Sequence, residues 1–182
     1  LAVQSYQAVG TQAQAIALDS FDAAGRVTGA RNADGWWTNE AFDPVGRPVK
    51  TTDALGGVAL MVLDLAGQEV ASRDPLGRLT KEQYNARGWV TQVTDALADV
   101  SRTGFDAAGE ATTQTDALGH TATAVFDALG RQTVSTDALG HSATTTFDDA
   151  GNVLTVTDAR GFVTSYGYDA LNRAVTVTEA VG

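Results

Sequence analysis

The acidic residues are the first feature of this chain that could carry chemistry. Asp22, Asp43, Asp53, Asp64, Asp74, Asp95, Asp106, Asp116, Asp127, Asp137, Asp148, Asp158 and Asp169 recur, with Asn32, Asn85 and Glu179 in three equivalent places, at steps alternating between 10 and 11 residues. Such a ladder could hold calcium, which takes several oxygen ligands, but the spacing fits neither an EF-hand loop nor calcium-binding nonapeptides. Paired carboxylates also serve acid–base catalysis, yet no pair stands out when every unit carries one. His120 and His141 are equivalent residues 21 apart. Alternate strands would hold them about 10 Å apart, too far to share one ion. Trp36, Trp37 and Trp89 could stack on sugar rings, although packing is the expected role for indoles in a chain with few large side chains. No Ser-His-Asp set is recognisable. The chain is therefore expected not to be an enzyme, with no catalytic, metal or cofactor-binding residue assigned and no cofactor.

The carboxylates make better sense as parts of turns. Three residues after each of the sixteen positions stands a glycine, except at Ala98 and Asn172. Asp at the first place of a turn accepts hydrogen bonds from the amides ahead of it, and Gly at the fourth tolerates positive φ, as Asn does next best. A type I turn followed by such a residue joins antiparallel strands in a tight hairpin with a bulge. Each motif is thus expected to reverse the chain.

The unit is two turns long. Before the first turn stands Phe21, Phe42, Leu63, Tyr84, Phe105, Phe126, Phe147 or Tyr168, and before the second mostly Thr, giving a repeat of 21 residues. Residues 1–20 fit poorly, with Tyr6-Gln7-Ala8-Val9-Gly10 resembling one aromatic turn out of register, and are read as a degenerate repeat. Between turns lie short runs rich in Thr, Val and aromatics, such as Trp89-Val90-Thr91-Gln92-Val93-Thr94, which favour strands. The expected fold is all-β: an antiparallel meander of about sixteen short strands, with turns alternating between its two edges. At ~4.8 Å per strand such a sheet would run to roughly 75 Å, and open sheets rarely exceed about ten strands, so it is expected to curl. Runs such as Thr121-Ala122-Thr123-Ala124-Val125 offer too little apolar volume for a thick sandwich. The aromatics on one edge would lie about 10 Å apart and need a neighbour between them. The turn residues Leu55, Leu76, Leu97, Leu118 and Leu139 are candidates, although a regular meander puts them on the opposite edge. A parallel β-helix has coils of similar length, but hairpin turns in both halves of the unit argue against it.

Composition narrows the function classes. The net charge of -10 and the scatter of only 12 Lys and Arg argue against a nucleic-acid partner. The absence of Cys excludes disulfides and thiolate metal sites. No run of residues is apolar for long enough to suggest a helical membrane span.

The units Phe126-Asp127-Ala128-Leu129-Gly130-Arg131 and Tyr168-Asp169-Ala170-Leu171-Asn172-Arg173, each following a Thr-Asp-Ala-x-Gly turn, resemble the YD signature of RHS repeats, and the resemblance covers residues 21–182. It implies a β-sheet strip spiralling into a hollow shell, as in bacterial RHS polymorphic toxins, Tc toxin shell components and the YD shell of teneurins. By that resemblance the chain is expected to be an internal piece of a secreted or cell-surface protein. It would form part of a shell that encapsulates and helps deliver a C-terminal toxin domain of the same polypeptide, with secretion-system or cell-surface partners. The alternative is a cell-surface adhesion module binding carbohydrate.

Overall fold

The computed structural model describes residues 3–6, 17–32 and 34–179, with side chains described from residue 19 onward. Seventeen β-strands and no helix lie among these residues. The chain divides into two compact units, residues 1–82 with 94–98 and residues 83–93 with 99–182. In the first unit β1 (Val3–Tyr6), β2 (Ala17–Phe21), β3 (Val27–Arg31), β4 (Trp37–Phe42), β5 (Pro48–Thr52), β6 (Val58–Leu63), β7 (Glu69–Arg73) and the start of β8 (Leu79–Tyr84) pair antiparallel in chain order. The second contains β9 (Val90–Thr94), apart from its last residue, and β10 (Val100–Phe105), β11 (Ala111–Thr115), β12 (Thr121–Phe126), β13 (Gln132–Thr136), β14 (Ser142–Phe147), β15 (Val153–Thr157), β16 (Val163–Tyr168) and β17 (Ala174–Glu179). From β10 to β17 each strand pairs antiparallel with the next. The all-β meander is as expected, with β2 leading into the first motif and β1 lying ahead of it. Of the proposed turn at Tyr6–Gly10, residues 7–10 lie outside the described residues, as do residues 180–182 of the last motif.

The turns have the predicted chemistry. At Asp53, Gly56 N donates to the Asp53 carbonyl (3.0 Å) and Asp53 N donates to the Gly57 carbonyl (2.8 Å), closing a type I turn with a bulged fourth residue. The fourth residue has positive φ in every described turn, including Ala98 at 68° and Asn172 at 59°.

One feature was invisible in the spacing. Wherever the register is defined across an aromatic turn, it slips by one residue: Val125 faces Val134, but Phe126 faces Gln132, leaving Thr133 extra. Val49, Val70 and Thr112 are extra in the same way, always in the strand after the aromatic turn. The hairpins closed by the second turn show no slip. At two of these bulges the extra Thr donates its hydroxyl to the freed carbonyl across the ladder, Thr133 to Val125 at 3.1 Å and Thr112 to Gly104 at 3.3 Å, whereas the Thr28 hydroxyl pairs with that of Ser20 at 3.1 Å. A bulge bends its strand and increases the local twist.

There is no buried apolar core among the described residues, and Gly29 is their single buried residue. The hydrophobic side chains are instead half-buried along one edge and over the faces of the sheet. The sheet is therefore held by its ladder hydrogen bonds and cross-strand pairs rather than by sandwich packing.

Candidate functional site

The carboxylates are consumed by their own turns. In Asp137 one oxygen accepts the amides of Leu139 and His141, each at 2.9 Å, and the other faces His141 Nδ1 at 2.9 Å. Asp116 repeats this with Leu118 and His120. At four aromatic turns the partner is Arg: Arg26, Arg47, Arg131 and Arg173 each donate through Nε to the turn Asp four residues earlier, at 2.6–2.7 Å, and at Asp148 it is Asn152, through Nδ2 at 2.8 Å. The His141 and Arg131 side chains each hold the carboxyl of their turn Asp below its ordinary value of 3.8, helped by the amide hydrogen bonds. At Asp22 and Asp43 the amide of the following Arg is the larger cause. A carboxylate with one oxygen accepting two amides and the other facing an Arg or His side chain has little left for a metal ion. Among the described residues no group of three His, Asp or Glu side chains converges as a metal site.

Each histidine thus sits in its own Asp–His pair. The Asp137–His141 pair lines an open depression of about 610 Å³ over β11 to β14, lined also by Ala122, Ala124 and Ala143. The nearby Ser142 hydroxyl is bonded to Thr136 Oγ1 at 2.8 Å. Recurrence of the same pair one repeat earlier marks it as a turn feature.

The aromatic edge is where the structure brings side chains together. Along this edge the residue before each aromatic turn alternates with the residue after the preceding one. Arg26 stacks on Phe42 with 4.6 Å to the ring centroid, and Arg131 stacks on Phe147 at 4.5 Å. Trp89 takes the same slot against Phe105, with centroids 5.3 Å apart. Arg47 and Arg131 also donate to the carbonyls of Asp64 and Asp148, 17 residues on, at 3.2 Å. A guanidinium in this slot therefore neutralises its own turn Asp while fastening the next repeat, and its plane fills the gap between aromatics. The turn leucines do not fill that gap: Leu55, Leu76, Leu97, Leu118 and Leu139 are 79–86% exposed on the other edge. The residue after the turn was the signal to read, since Arg recurs there.

Glu110 puts an acid in this slot. An added Cβ at Gly130 would lie 2.6 Å from Glu110 Oε1, so this carboxylate reaches the next turn where an Arg would fasten it. Desolvation raises the Glu110 carboxyl above its ordinary value, and a hydrogen bond and repulsion from Asp106, then repulsion from Asp127, add to this.

Of the indoles, Trp89 is packed, as expected, whereas Trp36 and Trp37 are 52% and 38% exposed. As chain neighbours entering β4, these two point to opposite sides of the strand and present no common platform.

The two faces differ in chemistry between the units. In the second, cross-strand partners on the face opposite the aromatics are Thr113, Thr123 and Thr136 in one row, and Thr146, Thr155, Ser165 and Thr178 in another. Of these hydroxyls, those of Thr146 and Thr155 bond one another at 2.6 Å. In the first unit the repeat-equivalent positions hold Arg31, Lys50, Leu60, Arg73 and Lys81.

No curated protein matches the chain. Solved structures similar to it include the Tc holotoxin pore of Photorhabdus luminescens, at 15% identity and TM-score 0.43 over 93% of this chain and 13% of that one. The complex of TcdB2 with TccC3 and Cdc42 aligns at 13% identity and TM-score 0.45 over 97% of this chain and 13% of that one. A porin-like protein from Bacteroides uniformis aligns at 14% identity and TM-score 0.31 over 98% and 96%. The chain spans about an eighth of the length of the two Tc toxin chains. The RHS repeat model matches residues 64–100, 105–145 and 147–182, more than half of the sequence, and with its two-turn units and aromatic edge the chain belongs to the RHS repeat family.

Proposed function

We propose that this chain is a wall segment of a shell that encloses and helps deliver a toxin domain carried on the same polypeptide, and that the segment itself is not catalytic. The observation that carries this reading is a sheet without a buried apolar core among the described residues, fastened repeat to repeat along one edge. Such a sheet is suited to be a wall with two wet faces. The bulge in each aromatic hairpin of defined register supplies the bend that winding requires. Residues 21–182 then form the array and residues 1–20 a degenerate leading repeat, in a protein that acts outside the cell or at its surface.

The test uses the whole parent polypeptide. Limited proteolysis should leave its C-terminal domain intact in the native protein and digest it once the shell is opened by acid. Cleavage of that domain at the same rate in both states would end this reading. A second reading, carbohydrate adhesion, is favoured only by the exposure of Trp36 and Trp37. It requires a glycan-array signal that Trp36→Ala or Trp37→Ala removes.

A further inference from the structure

Charge is segregated across the strands of the first unit. Alternation along each strand puts Asp19, Glu40, Glu69 and Glu82 on the face that carries Phe21 and Phe42. Arg31, Lys50, Arg73 and Lys81 all lie on the other face, and no strand from β3 to β8 contributes an acidic residue to it. The register interleaves these cations with apolar side chains: Lys50 faces Leu60, Leu60 faces Arg73, and Arg73 faces Leu79. Neighbouring strands stand ~4.8 Å apart, so this row presents cation and leucine alternately, with cations about 10 Å apart. A second row runs from Val62 through Ala71 to Lys81. Lys50, Arg73 and Lys81 are exposed, as are Leu60, Leu79 and Val62, the last at 55%. The carboxylates at the rim, Asp53 and Asp74, are held by the amides of their own turns.

We infer that this face binds an acidic polypeptide segment carrying apolar side chains. The argument is complementarity: in a chain of net charge -10, a face to which strands β3 to β8 contribute cations and no carboxylate is a local positive field, and the leucines and valine between its cations need apolar partners. Three exposed cations interleaved with aliphatic groups suit a peptide better than a phosphate backbone, which requires a denser run of Lys and Arg. The second unit supplies an internal control. There the positions equivalent to Lys50, Leu60 and Arg73 are Thr113, Thr123 and Thr136, uncharged and hydroxylic. The inference does not depend on the shell reading.

The experiment is fluorescence anisotropy of the chain with a short labelled peptide of Glu, Asp, Leu and Phe, at low and moderate salt. Binding is expected, weakening with salt as charges are screened. Lys50→Glu with Arg73→Glu should weaken it at least about tenfold. Leu60→Ala should weaken it about threefold, and Thr123→Glu with Thr144→Glu should leave it unchanged. Should the charge reversal unfold the sheet, Lys50→Gln with Arg73→Gln, checked for folding by circular dichroism, replaces it. The inference is overturned if the peptide fails to bind or if the folded Gln pair binds as tightly as the parent. It is equally overturned if a single-stranded oligothymidylate or phosphatidylserine vesicles bind as well as the peptide and respond to the same substitutions.

Discussion

Gly140→Ala isolates the backbone conformation on which every repeat depends. Gly140 has φ 86°, and a methyl group added there meets no heavy atom within 4 Å, so contact plays no part in the outcome. A left-handed conformation costs an L-residue roughly 1–2 kcal/mol. Loss of glycine's freedom in the unfolded chain returns about 0.4–1 kcal/mol. The expected net destabilisation is about 0.5–1 kcal/mol, or a fall of a few degrees in melting temperature for a chain of this size. The natural counterpart lies two repeats earlier, where Ala98 occupies the same place at φ 68°. Ala98→Gly should therefore stabilise the chain by a similar net amount. Gly109→Ala should cost more than Gly140→Ala, because its Cβ would lie 2.7 Å from the Trp89 ring. The measurement is urea unfolding with amide hydrogen exchange, which localises the effect to β13 and β14 because repeat arrays open in parts. If Gly140→Ala leaves exchange in that hairpin unaltered and Ala98→Gly is destabilising, positive φ is not what the fourth turn position demands.

Other expectations follow from the edge and the turns. Glu110 is raised above its ordinary 4.5, so it contributes stability below that value and loses it as pH rises through its folded value. Glu110→Gln should therefore melt higher than the parent at pH 7, with the gap closing on acidification below 4.5; a gap that persists in acid refutes the assignment. The lowered turn carboxylates have the opposite sign: their stabilisation is present above 3.8 and is lost as pH falls below it, so circular dichroism should show a steep acid transition there. Asp137→Asn keeps the acceptor for the two amides, as Asn32 does for Asp34 and Trp36, whereas Asp137→Ala loses it. Thermal melts should rank Ala well below Asn. Trp89→Ala should destabilise by about 1 kcal/mol or more through loss of its stack on Phe105, and Trp36→Ala should be near neutral; equal effects would remove Trp89 from the edge packing.

Much of the fold was legible because the strongest signals are local. Asp and Gly three residues apart specify a hairpin whatever surrounds them, and the alternation of steps between 10 and 11 residues separates an aromatic edge from a threonine edge. The nature of the Asp ladder was legible for the same reason: a carboxylate required by its own turn leaves no signature of a second role. The inter-repeat fastening was less so. Arg26 and Phe42 lie 16 residues apart, and only the strand register makes them neighbours.

The sequence by itself determined where the chain reverses, which residues flank each reversal and therefore the antiparallel all-β class, since these follow from backbone conformation and short-range hydrogen bonding. Tertiary structure decided what depends on pairing between strands. It placed the bulge after each aromatic turn, selected the residue following the turn over the turn leucines as filler of the aromatic edge, and sorted charges by face. Each is a matter of register, and in a sheet a shift of one residue exchanges the faces. No local preference encodes that choice; the strands make it together.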